Sequence, residues 1–463
     1  MCSSLAPDAK IRSSSPDTRG HDVASGEAAA TPTAGEVATP VAQAGDRRVY
    51  RMERWLIRRL LQLLGNPPIR VALWDAEEIS TSTAPAVARI LIRDRRTLWK
   101  LILSPELHFG DAFTVGQIEV EGDLLELLQA IYRSRSAASQ SAGWLRSTIL
   151  PWLRRAGSNT ISCSRANIHH HYDIGNDFYR LWLDDEMVYS CAYFPTPDTS
   201  LDQAQRAKMD YVCRKLRLGA GDTVVDVGSG WGALPLYMAG RYGAKVKAFN
   251  ISHEQISYSR KRAEAEGLRH RVEFIEDDYR NISSRFDAFV SLGMLEHVGR
   301  DHYREFGQVI DGCLNRCGRG LMQSIGQNRP GTPSPWIKRR IFPGGYCPSI
   351  QEMMDLWEPC EFSVLDVENL RLHYARTLRH WLQRFEASAD AVAAMFDQRF
   401  VRTWRLYLTG SIAAFATGAL QLFQIVFARP DVNEIPWTRA GLYQGSGVGS
   451  SSASSSRQGL PAR

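Results

Sequence analysis

Thr223-Val-Val-Asp-Val-Gly-Ser-Gly-Trp-Gly-Ala-Leu-Pro-Leu-Tyr-Met238 decides how the rest of the chain is read. An apolar run, a turn holding glycines 228, 230 and 232, and then helical spacing describe a buried strand, a tight turn and a helix. Glycine lets backbone approach a ligand where a Cβ would intrude, and the following helix offers unsatisfied N–H groups at its N-terminus. That geometry suits a nucleotide. The spacing is not the G-x-G-x-x-G dinucleotide fingerprint, and no G-K-[ST] follows to hold a β- or γ-phosphate. By itself the turn also fits a plain strand-to-helix connection.

The segments downstream decide between these readings. Ala244–Ile251 reads as a second strand, His253–Gly267 as a helix, and Arg271–Ile275 as a third strand ending at Asp277-Asp278-Tyr279. Arg285–Leu292 and Gly320–Ile325 supply two more strands, separated by the helical Tyr303–Leu314. Strands alternating with helices predict an α/β fold with a parallel, doubly wound, Rossmann-like sheet, whose ligand lies beyond the carboxyl ends of the strands. The polar landmarks of these segments cluster at those ends.

Several further motifs occur in order: Asn167-Ile-His-His-His-Tyr-Asp-Ile-Gly-Asn-Asp177, Tyr189-Ser-Cys-Ala-Tyr-Phe194, Asp226-Val-Gly-Ser-Gly-Trp-Gly232, Asp278-Tyr-Arg280, Glu296-His-Val-Gly299 and Ile341-Phe-Pro-Gly-Gly345. On these residues the chain resembles the cyclopropane-fatty-acyl-phospholipid synthases, S-adenosylmethionine-dependent methyltransferases that act on lipid double bonds. The resemblance runs from about Asn167 to Phe427, with a weaker match back to Leu64. It implies a class I methyltransferase sheet, preceded by a small α+β domain that helps present lipid.

Composition agrees with that division. A chain of 463 residues is long for one core. Residues 1–46, rich in Ala, Ser, Thr, Pro and Gly, read as a disordered tail, because no positive region leads into an apolar block as in a signal peptide. Residues 47–134 read as the small α+β domain, 135–164 as a linker, 165–430 as the methyltransferase domain, and 431–463 as a largely disordered tail. Eight cysteines without C-x-x-C pairs point to reduced thiols and no metal.

A net charge of +6 is too small to demand nucleic acid, and neither RNA-binding signatures nor basic-aromatic arrays occur. It is consistent with contact to anionic headgroups. In Arg47–Gly65, Arg47, Arg51, Arg54 and Arg58 recur at helical spacing beside Trp55, Leu56, Leu60, Leu63 and Leu64. Such a basic amphipathic helix lies on a membrane surface or packs on the neighbouring domain with its arginines in water. Ser411–Ala428 is apolar but interrupted by Gln421 and Gln424, so a buried helix followed by a strand is expected there rather than a membrane span. Membrane contact is then peripheral, at the cytoplasmic face. The oligomeric state stays open, with a homodimer one candidate.

The chemistry of the resembled family sets the requirements. An alkene is a poor nucleophile, so the methyl donor must be a strong electrophile. Attack leaves positive charge on the acyl chain, which needs π-faces or negative charge nearby and the exclusion of water. A base must then take a proton from the new methyl group for a ring to close.

The resemblance implies that Asp226, Gly228, Ser229 and Gly230 carry the amino-acid end of the cofactor. Asn250 and Gln255 take the ribose hydroxyls in place of an acidic residue, Asp278 and Tyr279 take the adenine, and Tyr189 and Ser190 form the cover. It further implies a bicarbonate ion as proton acceptor, held by Cys191, Glu296, the backbone of Ile325 and Tyr374. Read as isolated residues, Asp278 could be a solvated carboxylate, Glu296 a turn residue and Tyr374 a core tyrosine. Trp336–Tyr346 is expected to act as a lid, with Lys338, Arg339 and Arg340 near headgroup phosphates or simply solvated.

One position departs from the family, which usually has histidine where this chain has Gln323. Glutamine donates a hydrogen bond but does not titrate near neutral pH, so the product is open between a cyclopropane and a methyl-branched or methylene-bearing acyl chain. A methyltransferase for a small amine or hydroxyl, and a catalytically silent lipid-binding protein, are the other readings.

Overall fold

In the computed structural model, which describes residues 48–141, 174–331 and 334–443, the chain opens with helix α1, Arg51–Leu63. The expected tails before residue 48 and after residue 443, most of the expected linker, and residues 167–173 of the first motif lie outside the described residues. Helix α1 buries Ile57, Leu61 and Glu53, while Met52, Trp55 and Leu63 face solvent with Arg51, Arg58 and Arg59. The sequence reading assigned Trp55 and Leu63 to the apolar face; the structure instead packs the stripe of Ile57 and Leu61, one helical turn apart. Glu53 is tolerated inside because it accepts from the Tyr50 N–H at 2.8 Å and from Arg95 Nε at 2.5 Å.

The domain continues with β1 (Ile69–Ala72), β2 (Glu78–Ile79), β3 (Ala88–Ile92), helix α2 (Arg95–Leu103), helix α3 (Pro105–Thr114), β4 (Ile118–Gly122) and helix α4 (Leu124–Ser141). Its sheet has the order β2-β1-β3-β4, with β1 and β3 parallel and the outer pairs antiparallel. Asp94 caps α2 by accepting from the Thr97 N–H at 2.8 Å. Helix α4 runs on to Ser141, so the first residues of the expected linker are helical.

The second sheet has seven strands: β5 (Thr223–Val227), β6 (Lys245–Asn250), β7 (Val272–Glu276), β8 (Phe286–Leu292), β9 (Leu314–Gly326), β10 (Ser363–Asn369) and β11 (Gln421–Ala428), ordered β10-β11-β9-β8-β5-β6-β7. Strands β5 to β9 pair in parallel, as the alternation of strands and helices predicts. The sheet is not wholly parallel, because β11 runs antiparallel to both β9 and β10. It fills the slot between them, with all eight residues buried, and both of its edges are satisfied by ladder bonds. Successive side chains of β5 enter opposite layers: Val225 and Val227 pack on one face, Val224 on the other.

A third cluster lies between the carboxyl side of the sheet and the small domain. It contains Phe178, Tyr179, Trp182, Trp381, Trp404, Tyr407 and Phe415. Docking of the small domain is specific. Arg402 Nε donates to the Phe113 carbonyl at 2.7 Å, and Arg340 bonds both Asp111 carboxylate oxygens at 2.9 and 3.0 Å. Arg340, expected near headgroup phosphate, is therefore held by a carboxylate. The indole of Trp336 covers Gly110. Residues 431–443, expected within a largely disordered tail, are laid along the domain, where Arg217 and Arg319 donate to the Glu434 carbonyl at 2.6 and 2.8 Å.

The Gly110 contact leaves no room for a methyl group. A Cβ there would run into the Trp336 indole, which is wedged between two domains rather than free to swing. Gly110→Ala is expected to cost about 1–3 kcal/mol, read as a lower midpoint in denaturant unfolding; an unchanged midpoint would mean that the two domains separate at no cost.

Candidate active site

The turn after β5 works as the sequence reading requires. Gly228, Gly230 and Gly232 have φ of +91°, +54° and +84°, a region that other residues enter only with strain. They serve different ends. A Cβ on Gly232 would lie 2.8 Å from Phe274 and Ser259, so this glycine permits helix-to-sheet packing, whereas a Cβ on Gly230 would meet nothing within 4 Å and would project into open space. That space is a cavity at the carboxyl ends of the strands, and it is lined by Gly228, Ser229 and Gly230.

The cavity gathers segments far apart in sequence. Of the residues expected in the site, Tyr189, Ser190, Cys191, Asp226, Gly228, Ser229, Gly230, Asn250, Gln255, Glu296, Gln323, Ile325 and Tyr374 all line it. Asp278 and Tyr279 do not. Beyond β7 the chain closes into a short 3-10 turn, in which the Asp278 carboxylate accepts from the Arg280 N–H at 3.1 Å and from Arg280 Nη1 at 3.2 Å. The Tyr279 ring packs edge-on against Phe306, 5.0 Å between centroids. Asn250, the last residue of β6, and Gln255, on the helix that follows, are joined by a bond from Nδ2 to Oε1 at 2.8 Å.

One end of the cavity is polar and carries buried charge. Lys208, on the helix Leu201–Leu216, donates to Ser190 Oγ at 3.1 Å and lines the cavity with Asp226. Both are almost fully buried. Burial raises the Asp226 carboxyl and lowers the Lys208 ammonium, while their mutual attraction works against both shifts. Asp184 joins this cluster, pushed up to about 6 by burial against hydrogen bonds from the Val188 and Glu186 N–H groups. Lys208 was missed from sequence, since a lysine in an amphipathic helix carries no local sign of being buried.

The other end is apolar and aromatic. Phe342, Tyr374, Leu378, Tyr407, Phe415, Leu420 and Leu422 line it, and the Tyr189 and Tyr407 hydroxyls meet at 2.8 Å. Ile337 and Lys338 of the helix Pro335–Arg340 border the same space.

Glu296 lines the same cavity. The short helix Leu295–Val298 holds it, and its Oε1 accepts the Ile325 N–H at 2.6 Å. Its Oε2 is buried and has no hydrogen-bond partner among the described residues. Burial pushes the carboxyl up to about 7, against the Ile325 N–H, its own backbone N–H and the Ser324 hydroxyl. Cys191, buried in the wall of the same cavity, remains a thiol because burial raises its pKa far above neutral. Burial also lowers His297, to about 4, and keeps this cavity residue neutral.

An orphaned carboxylate oxygen lowers stability wherever it is ionised. Because the folded pKa of Glu296 lies above its ordinary 4.5, the fold is favoured at low pH and loses stability as pH rises through about 7. Glu296→Gln, without ligand, is expected to be more stable than native at pH 8 by about 1–3 kcal/mol, an advantage that disappears toward pH 4. Parallel melting curves at the two pH values check this; equal stability at pH 8 would mean that the carboxyl carries no desolvation strain.

Comparison with known proteins agrees with this geometry. The family described as mycolic acid cyclopropane synthetase matches residues 160–425, and a domain family of unknown function matches 56–142. A "probable fatty acid methyltransferase" of Pseudomonas putida is 37% identical over 81% of this chain and 96% of its own. The cyclopropane-fatty-acyl-phospholipid synthase of Escherichia coli is 39% identical over 60% of this chain and 72% of its own. Among solved structures, the cyclopropane synthase MmaA2 of Mycobacterium tuberculosis superposes with a TM-score of 0.55 and 28% identity, over 57% of this chain and 98% of that one. The mycolic acid cyclopropane synthase CmaA1, solved with SAH and CTAB, gives a TM-score of 0.54 and 30% identity over 57% and 97%. A glycine turn opening onto a cavity that is polar at one end and aromatic at the other, on a class I methyltransferase sheet, is therefore not a chance likeness: the chain belongs to the mycolic acid and fatty-acyl cyclopropane synthase family of S-adenosylmethionine-dependent methyltransferases.

Proposed function

We propose that the protein transfers the methyl carbon of S-adenosylmethionine to the double bond of an unsaturated phospholipid acyl chain and that the product is a cyclopropane. The observation that carries this reading is the single cavity shared by the Gly228–Gly230 turn, the aromatic residues Tyr374, Tyr407 and Phe415, and Glu296, whose Oε2 has no partner among the described residues. The cofactor supplies an electrophilic methyl group on a sulfonium. The open space at Gly230 admits its amino-acid end, Asn250 and Gln255 hold its ribose, and Tyr189 with Ser190 covers it.

The faces of Tyr374, Tyr407 and Phe415 stabilise positive charge developing on the acyl chain, and the apolar walls keep water from trapping it. A bicarbonate ion in the cavity that Glu296, Cys191 and Tyr374 line would supply a base for the proton of the added methyl group; the Ile325 N–H, expected to hold the anion directly, donates to Glu296 Oε1 instead and so positions that carboxylate. Glu296 orients that anion and Gln323 donates to it.

A second product class is favoured by one observation. Gln323 does not titrate, and the relatives include a tuberculostearic acid methyltransferase of Mycobacterium tuberculosis, 34% identical over 70% of this chain. If a hydride shift in the acyl cation outruns ring closure, loss of the methyl proton gives a methylene product; a saturated methyl branch further requires a hydride donor as a second substrate.

Membrane contact is peripheral in this reading. No described helix is long and apolar enough to cross a bilayer. Helix α1 presents Met52, Trp55 and Leu63, each more than half exposed, among Arg51, Arg58 and Arg59, a pattern that suits an anionic lipid surface.

Mass spectrometry of lipids from cells making the protein is expected to show acyl chains heavier by one CH2 with the alkene lost to a ring; heavier chains that keep a methylene or gain a saturated branch select the second product, and unaltered lipids overturn the proposal. Glu296→Gln is expected to keep S-adenosylmethionine affinity while turnover falls about a hundredfold; full turnover would displace the anion site. Binding to vesicles is expected to need anionic lipid and to weaken with salt, since exposed charges are screened over roughly 8 Å at physiological ionic strength. Combining Arg58→Glu with Arg59→Glu should abolish it, and salt-independent binding would remove α1 from the contact.

A further inference from the structure

Gln323 is the end of a buried row of polar side chains. In the sheet, Glu368 of β10 pairs with Gln424 of β11, and Gln424 pairs with Gln323 of β9, so three adjacent strands carry polar residues at one register from the sheet edge to the cavity. Gln424 is fully buried, and Gln323 is only 2% exposed. Above the row lies Lys215, two helical turns from Lys208 on the same helix. Its Nζ lies 2.6 Å from Glu368 Oε2 and 2.6 Å from Gln424 Oε1, and Gln424 Nε2 lies 3.1 Å from Gln323 Oε1.

The chemistry of the first member dictates the direction of the rest. An ammonium has donors and no acceptor, so the end of Gln424 facing Lys215 has to be its oxygen. Its nitrogen then faces Gln323, which has to answer with oxygen. The two ends of an amide are otherwise easily exchanged; here the exchange would set one nitrogen against the ammonium or two nitrogens against each other, inside a core where such mismatches go uncompensated. We propose that Lys215, acting through Gln424, locks the Gln323 amide with its NH2 group toward the cavity, which makes Lys215 and Gln424 positioning residues for an oxyanion in the active site.

This inference rests on the anion reading given above and explains how an uncharged residue serves there. A histidine can present either a donor or an acceptor as it changes tautomer or charge. The locked glutamine presents a donor at every pH, so it can hold the oxygen of an anion but cannot carry its proton away. Proton release is left to Glu296 and to the anion itself.

Substitutions at Gln424 separate polarity from packing. In Gln424→Glu the introduced carboxylate still accepts from Lys215 but can no longer donate, so the Gln323 amide turns its NH2 toward that carboxylate and its carbonyl toward the cavity. Gln424→Leu keeps an uncharged neighbour and leaves Gln323 unbiased. The assay is methyl transfer to vesicles of unsaturated phospholipid in CO2-depleted buffer with bicarbonate added back, and S-adenosylmethionine affinity and melting temperature report folding.

The bicarbonate KM is expected to rise at least about tenfold in Gln424→Glu and about two- to threefold in Gln424→Leu. A packing role predicts the opposite order, because leucine removes the Lys215 bond that glutamate keeps. To remove net charge as a cause, Gln424→Glu is combined with Glu368→Gln, which restores the native charge without restoring the donor; the elevated KM should persist. Recovery in the double variant, or a larger effect of leucine than of glutamate, overturns the inference. If Gln424→Leu does not fold, the single and double glutamate variants decide the matter alone. A native enzyme indifferent to bicarbonate overturns the anion reading itself, a result distinct from a bicarbonate-dependent enzyme in which the variants behave like the native protein.

Discussion

The structure depends on a backbone reversal that only glycine can make. Between β5 and the helix Ala233–Tyr242 the chain passes through three positive φ angles within five residues, at Gly228, Gly230 and Gly232. Gly232 lets the helix close on Phe274 and Ser259, which sets the distance between helix and sheet, and Gly230 leaves open space where a side chain would stand. Packing and ligand access are thus solved by neighbouring residues under one constraint. Everything else in the site is positioned against this turn, because β5 is the strand from which the sheet extends in both directions.

Around that turn the fold removes charges from water. Asp184, Lys208, Asp226 and Glu296 are all nearly inaccessible, yet they are treated differently. Asp184, Lys208 and Asp226 form a cluster of opposite charges that offset one another's desolvation, a structural solution that also leaves polar groups at the cofactor end. Glu296 accepts the Ile325 N–H on one oxygen, and its second oxygen is buried with no hydrogen-bond partner among the described residues. A native fold tolerates such a group where function uses it, and the raised pKa records the cost to the fold. The row Lys215, Gln424 and Gln323 shows the alternative, in which charge stays with Lys215 and Glu368 and an uncharged amide lines the cavity.

The small domain contributes shape rather than chemistry. Its helix α3 meets the helix Pro335–Arg340 through the Gly110 and Trp336 contact and the Arg340 to Asp111 pair, and that second helix borders the cavity with Ile337 and Lys338. The arrangement ties the small domain to the wall of the cavity. A guanidinium that in sequence resembles one of three free cations is a fastener, since a nearby carboxylate matches its fork in a bidentate bond.

The sequence by itself determined the features that depend on short range. The β5 turn, the strands that follow it and the polar residues at their carboxyl ends were legible because apolar runs, glycine spacing and helical periodicity act over a few residues. The family resemblance carried Glu296, Gln323, Ile325 and Tyr374 as candidates, and the fold brings them to one cavity. Only the tertiary structure decided what depends on partners far away. Strand β10, half-exposed at the sheet edge, has no clear apolar alternation, and the antiparallel insertion of β11 depends on a slot made by β9 and β10. Asp278 and Tyr279, placed by motif beside the cofactor, contact Arg280 and Phe306. Lys208, Lys215, Tyr407 and Gln424 carry no local sign of their roles, because burial and hydrogen-bond direction are properties of the neighbours a residue acquires when distant segments meet. That is why residue types could be read from the chain, while the direction in which the Gln323 amide points could be read only from the three-strand row that holds it.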